Sequence, residues 1–484
     1  MYRLFLLLCC GLVLAEAGAA APRHLFLDPE FIAESSGVEL RVNPPRRDRV
    51  VIRADRPWEQ LMITLYLTVR DDGERLRMWY ICRDAKNRKN VAYAESRDGV
   101  NWVKPNLGIV EYEGSTDNNL VGLTTLEGAA FVDPRATGDS GRYVYLSHVW
   151  GEGMVRFFSP DGLHWQRDAE PLLRLGADSQ AITFWDERTK SYAIYLRAWE
   201  RRADRKLYRT VVRADVEDLR TPMKAGPSAK SLYLWGKEKA PVIGDEFPTV
   251  LETDEQDPDD SDVYTNSIEP YPLDPRWYVG FPSFFQREGR TSEGRLEVQF
   301  IGSRDGFRWH RYDRAPYASL GPPGSDHANM VFIGPGLVVR GDELWQFGTG
   351  FHSRHGDVEA RKRRTDGVIH RYVQRVDGFV AAEFDWRGGS LTTAPVAVDG
   401  GELLLNLDTG AMGQVRVGLR SETGEKISGF SAADCVKLQV NSVDARVQWK
   451  DHADLTALAG RSVRVVIEGA RAKVFGFRFA PGGN

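Results

Sequence analysis

The stretch Val91-Ala-Tyr-Ala-Glu-Ser-Arg-Asp-Gly-Val-Asn-Trp102 decides the fold, because its second half returns twice along the chain. The pattern Ser-x-Asp-Gly-x-x-Trp recurs in Met154–Trp165 and in Val298–Trp309, each time after a short β-rich run. Asp-Gly is a tight-turn dipeptide, and the tryptophan is expected to cover the end of a sheet. Looser copies at Val211–Pro222 and Ile369–Phe379 bring the series to five.

The five copies lie roughly 60 to 90 residues apart, and another β-rich segment precedes each of them across a polar turn. Asp178–Trp199 shows this unit: a carboxylate, an apolar strand, a turn at Asp186–Lys190, and a strand that ends in Arg197 and Trp199. All-β repeats of this length predict a five-bladed β-propeller. The β-rich segment Val38–Arg53 is placed to supply a strand that closes it.

The pattern changes after about Arg375, where shorter alternating strands such as Gln414–Leu419 and Ser462–Glu468 follow one another across Gly and Asp turns. Many short strands of this kind predict a β-sandwich. The predicted organisation is therefore a signal peptide at 1–21, a five-bladed β-propeller at 22–374, and a β-sandwich domain at 375–484.

The N-terminus has the pattern of a secretion signal. Arg3 precedes the apolar run Leu4–Leu14, and small alanine-rich spacings follow. The run is shorter than the roughly 20 residues that span a bilayer, so we predict a secreted or periplasmic protein with no membrane attachment after cleavage. Cys82 and Cys435 then remain, and we expect both to be buried and unpaired.

Composition excludes some partners and favours another. The 484 residues carry a net charge of −4, which argues against nucleic acid, because phosphate binding needs a basic face. The 42% hydrophobic content is typical of a soluble globular protein. The chain has 13 tryptophans, a supply of the flat side chains on which sugar rings stack. Scattered aromatic residues usually belong to the core, so a carbohydrate partner is one of two interpretations of this supply.

The repeated Ser-x-Asp-Gly-x-x-Trp, the five β-rich units and the C-terminal sandwich resemble the propeller glycoside hydrolases: the fructosidases of glycoside hydrolase family 32 and their arabinanase-like relatives. The resemblance covers residues 24–484. It implies three acidic residues from different blades in a central pocket: a base or nucleophile, a general acid, and a third that orients the sugar. The family 32 motifs Asn-Asp-Pro-Asn-Gly, Arg-Asp-Pro and Glu-Cys do not occur here. The resemblance therefore implies a glycosidase but not fructan specificity.

The first strands of all blades begin near one axis, so the polar residues that lead them should converge. These leading residues are Glu59, Asp178, Asp262 and Asp326, with either Asn118-Asn119 or Glu127-Gly128 for the second blade. Breaking a glycosidic bond needs one protonated and one ionised carboxyl group. We predict Asp178 and Asp262 as the catalytic pair and Glu59 as the third acid. Glu127, Glu269 and Asp326 are the alternatives.

The predicted substrate-binding residues are Trp58, His148, Arg197, Trp199, Asp326 and His327. No cofactor is predicted, although acids and histidines together are compatible with a structural or pocket divalent cation. Two other functions stay open. A propeller can bind glycan or protein without catalysis, and a glycoside phosphorylase would need a basic phosphate site beside the acids, for which Arg197 and Arg354 are candidates.

Overall fold

The computed structural model describes residues 21–482 except 124–126, 139–140, 150–151, 175–176, 204–205, 224–230, 236–237, 243–246, 289–291, 358, 360–364 and 453. All but the last residue of the predicted signal peptide lies outside this range. Described helices are single 3-10 turns at Pro29–Phe31, Pro57–Glu59 and Thr456–Leu458, and none of them is long and apolar enough to cross a membrane.

The rest of the regular structure is β. The N-terminal strands are β1 (Arg23–Leu25), β2 (Ile32–Ser36), β3 (Val38–Val42) and β4 (Arg46–Ile52). The first three repeats form β5 (Met62–Asp71), β6 (Leu76–Arg83), β7 (Lys89–Ser96), β8 (Ala129–Val132), β9 (Tyr143–Val149), β10 (Gly153–Ser159), β11 (Gln166–Arg167), β12 (Ile182–Asp186), β13 (Ser191–Arg201), β14 (Leu207–Val216), β15 (Ser231–Trp235), β16 (Glu238–Val242) and β17 (Thr249–Leu251). The last two form β18 (Ser261–Val263), β19 (Ile268–Pro270), β20 (Tyr278–Gly280), β21 (Ser283–Arg287), β22 (Gly294–Val298), β23 (Ile301–Ser303), β24 (Met330–Ile333), β25 (Val338–Arg340), β26 (Glu343–Phe351) and β27 (Val368–Arg375). The all-β prediction is confirmed.

Strand pairing follows the repeats with one irregularity. The first three units are the antiparallel sheets β5-β6-β7, β8-β9-β10-β11 and β12-β13-β14-β17. In the fourth unit each strand is divided, and one half of the unit, β18-β21-β22, joins β24 of the fifth through one parallel pair, Leu296 with Met330. The interruption coincides with Ser267, whose φ of +43° turns the backbone between β18 and β19.

The units are arranged in a ring. β5 contacts β8, β8 contacts β12, β12 contacts β19, β21 contacts β24, and β24 returns to β5. A separate apolar cluster fills each junction between neighbouring units; representative pairs are Trp79 with Tyr145, Leu146 with Ile194, Tyr195 with Ile268, Val298 with Val331, and Tyr80 with Phe347. We interpret these contacts as a five-bladed propeller. β4 pairs with β27, so the N-terminal segment closes the last blade as expected.

The repeated Ser-x-Asp-Gly turn joins neighbouring blades. In the second copy Asp161 Oδ1 accepts hydrogen bonds from the backbone of Leu163 and His164, and the backbone N–H of Gly162 donates to Ser159 Oγ at 2.9 Å. The turn then contacts the preceding blade, where Trp79 Nε1 donates to the Gly162 carbonyl at 2.7 Å. In the third copy, Tyr195 Oη donates to the Gly306 carbonyl in the same way, at 2.8 Å. The motif therefore stabilises the ring rather than the site.

Gly162→Ala should destabilise the protein by about 2–4 kcal/mol, through left-handed backbone strain and overpacking. Gly162 has φ +74°, and a Cβ there would lie 2.7 Å from Trp79 Cζ2. Gly108→Ala is the matched control, since Gly108 has φ +68° but nothing within 4 Å of its Cβ position. Urea unfolding of both variants measures the difference. Equal losses would mean that the turn does not hold the blades together.

The C-terminal strands form two sheets around one core. They are β28 (Val380–Phe384), β29 (Gly389–Thr393), β30 (Val396–Ala397), β31 (Glu402–Asp408), β32 (Gln414–Ser421), β33 (Asn441–Arg446), β34 (Ser462–Ala470) and β35 (Ala472–Ala480). One sheet has the order β3-β28-β35-β31-β33 with β1 on β35, and the other β2-β29-β34-β30 with β32 on β34. Leu405 and Phe477 of the first sheet share an apolar cluster with Val417 and Ile467 of the second. This is a β-sandwich.

The N-terminus differs from the predicted organisation. β1, β2 and β3, assigned to the propeller by sequence, pair instead with strands of the sandwich sheets. Short alternating strands do not specify which sheet they join, because both sheets offer the same pattern of backbone donors and acceptors. The boundary at 374/375 stays a prediction. Cys82 and Cys435 are buried and free, as expected.

Candidate functional site

Strand direction defines the edge of the ring where polar side chains meet. Neighbouring strands are antiparallel, so each blade's first strand begins where its second ends and its third begins. In the first three blades this edge carries Arg83, Lys89, Glu127, His148, Asp178 and Arg197, and their charges influence one another.

Glu127 is a buried carboxyl group at this edge. It precedes β8, is 5% exposed, and its Oε2 has no hydrogen-bond partner among the described residues. Burial, followed by the nearby negative charge of Asp178, raises the pKa of Glu127 to about 7, against the opposing charges of Lys89 and Arg197. A carboxyl group in this environment keeps its proton close to neutral pH.

Asp178 lies beside Glu127 in a different environment. Its side chain is 24% exposed, and Arg197 Nη1 lies 3.5 Å from its Oδ2 while also donating to its main-chain carbonyl. Burial raises the pKa of Asp178, and the positive charges of Arg197, Arg209 and Lys89 oppose that rise. Its φ of +45° is uncommon outside glycine, and such strained backbone clusters at functional sites.

Arg197 fixes the geometry around Asp178. The side chain is buried, Nη2 donates to the Tyr264 carbonyl at 2.5 Å, and the guanidinium carbon lies 4.4 Å from the centre of the Tyr264 ring. Ser179 Oγ contacts the same carbonyl at 3.4 Å. These contacts tie the third blade to the fourth next to Asp178.

His148 is a buried neutral group at this edge. Burial, with the positive charges of Lys89 and Arg197, lowers its pKa to about 4. A neutral imidazole offers one donor and one acceptor, which suits a sugar hydroxyl. His148, Arg197 and Asp178 are thus three predicted site residues that the structure brings together. Trp199 is close, 5.8 Å from the Arg197 guanidinium, but only 8% exposed, so it offers little open surface for a sugar ring.

Asp262, predicted as half of the catalytic pair, is placed behind this site. It is fully buried, and its carboxylate accepts from Arg209 Nη1 at 3.0 Å and Arg287 Nη2 at 2.5 Å. Arg209 in turn lies 4.9 Å from the Tyr264 ring. Because it is fully buried and held by two arginines, we expect Asp262 to support the site rather than to act on a substrate.

Glu59 and Trp58 lie in the 3-10 turn that precedes β5 of the first blade. Glu59 is fully buried, and its carboxylate accepts from Tyr80 Oη at 2.5 Å, from Lys104 Nζ at 2.8 Å and from two backbone N–H groups. Trp58 Nε1 donates to Asn119 Oδ1 at 2.9 Å. Both oxygens of the Glu59 carboxylate have structural partners, which favours a supporting role for this residue, and the substrate-binding role of Trp58 stays a prediction.

Asp326 and His327 line a different cavity, with Arg47 and His370 among its walls. Glu269, an alternative acid, accepts from the Gly336 backbone at 2.8 Å and pairs with Arg70 at 3.5 Å. Among the described residues there is no group of three or more metal-ligating side chains.

Sequence reasoning missed the cations, Arg83, Lys89 and Arg209. It took its acids from the starts of first strands and few other residues from the ends of second strands, whereas every blade also brings the end of its second strand and the start of its third strand to this edge. Arg83 ends β6, and Lys89 begins β7. Extending the convergence rule to all three strand ends would have found them.

Comparisons with known proteins found similar structures only. No family model and no curated protein matches the chain. A solved structure described as a glycoside hydrolase has 13% identity and a TM-score of 0.44, covering 68% of this chain and 92% of that one. A family 43 arabinoxylan arabinofuranohydrolase from Bacillus subtilis has 10% identity and a TM-score of 0.38, covering 87% and 96%. The family 32 β-fructofuranosidase of Bombyx mori has 9% identity and a TM-score of 0.38, covering 88% and 95%. The similar structures thus include glycoside hydrolases of families 43 and 32.

Proposed function

We propose that this chain is a secreted or periplasmic glycoside hydrolase in which Glu127 is the general acid and Asp178 the ionised partner. The observation that carries the proposal is the contrast between two neighbouring carboxyl groups. Glu127 is buried with an unpartnered Oε2, and its pKa is about 7, whereas Asp178 is held by Arg197. Two carboxyl groups in unlike environments are what glycosidic bond cleavage requires.

Each residue has a defined task in this mechanism. Glu127 donates its proton to the glycosidic oxygen as the bond to the anomeric carbon breaks. Asp178 either attacks that carbon or takes a proton from the attacking water, and Arg197 positions it by contacts to both its carboxylate and its carbonyl. Neutral His148 hydrogen-bonds a substrate hydroxyl.

Asp178→Asn tests the proposal. We expect kcat to fall by about 10²–10⁴-fold on every substrate that the wild type cleaves, because the ionised group is lost. The measurement is release of reducing ends from a polysaccharide panel and of nitrophenol from aryl glycosides. Asp260→Asn is the matched control, since Asp260 is an exposed partner of Lys206. Failure of the wild type to cleave any carbohydrate on the panel would contradict the proposal.

A glycoside phosphorylase is the second candidate, favoured by Arg83, Lys89 and Arg197, whose positive charges all lower the pKa of Glu127. Phosphate could occupy such a basic site beside the acid. Arg354, the other residue considered from sequence, is paired with Glu288 at 3.1 Å. Running the same assays with inorganic phosphate and analysing for sugar phosphates separates phosphorolysis from hydrolysis.

A further inference from the structure

An open depression on the fifth blade is rich in arginine. Its walls come from the outermost strand β4, from His370 of β27, and from the loop that leads into β24. Its volume is about 380 Å³, within the range of roughly 300–1,000 Å³ typical of small-molecule sites. Because it is open to solvent, one unit of a longer chain can lie in it while the chain continues on either side.

Arg47 brings a positive charge to this depression that no described carboxylate balances. Its Nε donates to Tyr372 Oη at 3.3 Å and its Nη2 to the Ser319 carbonyl, and both acceptors are uncharged. The guanidinium carbon lies 5.5 Å from the centre of the Tyr372 ring, which supports the side chain from one side. Nη1 makes no hydrogen bond with a described residue and is not buried, so a ligand can reach it.

The two carboxylates in the walls are already shared among other arginines. Asp326 pairs with Arg53 at 2.9 Å. The Asp48 side chain is only 5% exposed and lies within hydrogen-bond distance of three guanidinium groups, those of Arg46, Arg49 and Arg371. Three arginines on Asp48, one on Asp326 and the unbalanced Arg47 make five positive charges beside two negative ones.

The pKa values of the two histidines in the walls reflect this excess. Burial lowers the pKa of His370 to about 3 and that of His327 below its ordinary value. For both rings the next largest cause is the positive charge of Arg47, which outweighs the opposing negative charge of Asp326. Both rings are therefore neutral at physiological pH. A concave surface with an excess of one charge attracts ligands of the opposite charge, so the depression favours an anion.

One end of the depression lies at the edge of the ring that carries the candidate active site. β24, β26, β27 and β4 are antiparallel neighbours, so β24 begins at the edge where β4 ends. Asp326 precedes β24, and its partner Arg53 follows β4. A chain of sugars that passes over Arg53 can therefore continue along the edge where Glu127 and Asp178 lie.

We propose that this depression binds the carboxylate of a hexuronate unit in an acidic polysaccharide, with Arg47 as the anion-binding residue. The inference rests on the proposed function, because it names the class of carbohydrate that the hydrolase would act on. A guanidinium group matches a carboxylate through charge-assisted N–H···O bonds, and the neighbouring Arg49 adds to the attraction. His327 keeps the substrate-binding role predicted from sequence, whereas Asp326 positions Arg53.

The test is imidazole nitrogen NMR of the full chain, in the Glu127→Gln protein so that turnover does not interfere. The protein is titrated at constant ionic strength with trigalacturonate and with glucuronate, each beside its methyl ester. We expect saturable shifts of the His327 and His370 nitrogens with at least one of the acids and no response to its ester. The ester keeps the shape of the sugar and loses the charge. Inorganic sulfate and phosphate are titrated in the same way, because they share the oxoanion chemistry.

Arg47→Gln should weaken uronate binding by at least about 10-fold, through loss of a charge-assisted hydrogen bond. Arg41→Gln is the matched control and should leave the affinity unchanged. It removes the same charge from β3, where Arg41 is 51% exposed and pairs with Glu39 at 2.5 Å. Should Arg47→Gln fail to fold, Arg49→Gln decides. Arg49 is 55% exposed, and its loss should weaken binding by about 2–5-fold.

Three results would overturn the inference. The first is the absence of any shift with both uronates in folded protein, and the second is an equal response to an acid and its methyl ester. The third is tighter binding of sulfate or phosphate than of either uronate, which would make the depression a general oxoanion site. Uronate binding by a protein that cleaves no carbohydrate would support this site while contradicting the proposed function. Cleavage of neutral polymers without uronate binding would overturn this inference and leave the proposed function standing.

Discussion

Glu127→Gln is expected to lower kcat by at least about 10²-fold on glycosides with poor leaving groups while making the protein more stable above pH 7. The catalytic loss follows because glutamine cannot donate a proton to the glycosidic oxygen. Aryl glycosides with acidic leaving groups, such as dinitrophenol, need no such proton, so their cleavage should be largely retained. Asp178→Asn should lose both reactions. Measuring the two substrate classes side by side therefore separates the roles of the two residues.

The stability gain follows from the raised pKa. Below pH 4.5 Glu127 is protonated in both the folded and the unfolded chain. Between 4.5 and about 7 the unfolded chain loses the proton and the folded chain keeps it, so the free energy of unfolding falls as pH rises. The full difference is about 3 kcal/mol at about 1.4 kcal/mol per pKa unit. Glutamine carries no charge to bury, so the variant should lack this decline.

Urea unfolding at pH 4.5 and pH 8 measures this effect, and Glu297→Gln is its control. Burial raises the pKa of Glu297 too, but this residue lines a groove on the fourth blade, among Phe284, Leu296 and Leu320. The Glu297→Gln protein should gain stability at pH 8 without losing activity. Wild-type activity should also decline above pH 7, as Glu127 loses its proton. A Glu127→Gln protein with full activity on all substrates would contradict the proposed role.

The repeats could be predicted because their signal is local. Ser-x-Asp-Gly-x-x-Trp encodes its own turn: the serine and aspartate side chains satisfy the backbone of the next residues, as Asp161 does for Leu163 and His164. The pairing of β1–β3 with the sandwich was not predicted, because it joins segments more than 300 residues apart. Nothing in a short alternating strand specifies so distant a partner.

Part of the candidate site could also be predicted from the sequence. Convergence of strand ends predicts that Asp178, Arg197 and His148 lie at one edge, and the structure places them there; their role in a site stays a prediction. It could not separate a usable carboxylate from a saturated one, because the partners come from elsewhere: Lys104 reaches Glu59 across 45 residues, and Arg209 reaches Asp262 across 53. Glu127 ranked below both in sequence, yet its Oε2 is buried with no hydrogen-bond partner among the described residues.

Asp262→Ala is expected to destabilise the protein by about 3–5 kcal/mol, the usual cost of removing one partner of a buried ion pair. The substitution would leave Arg209 and Arg287, both buried, without the carboxylate that holds them. Asp260→Asn is the control from the same segment. Asp260 and Lys206 are each 44% exposed, so their pair should contribute only about 0–1 kcal/mol. Urea unfolding measures both losses.

Asp262→Asn then decides between support and catalysis. Asparagine keeps an oxygen that accepts from the Arg209 backbone, at 3.3 Å in the native protein, but it loses the charge that both guanidinium groups need. If Asp262 is a supporting residue, the Asp262→Asn protein should therefore lose stability, while its kcat per folded molecule stays within several-fold of the wild type. Loss of turnover by Asp262→Asn at unchanged stability would return this residue to the catalytic pair that the sequence predicted. It would also mean that this fully buried carboxylate becomes accessible when substrate binds.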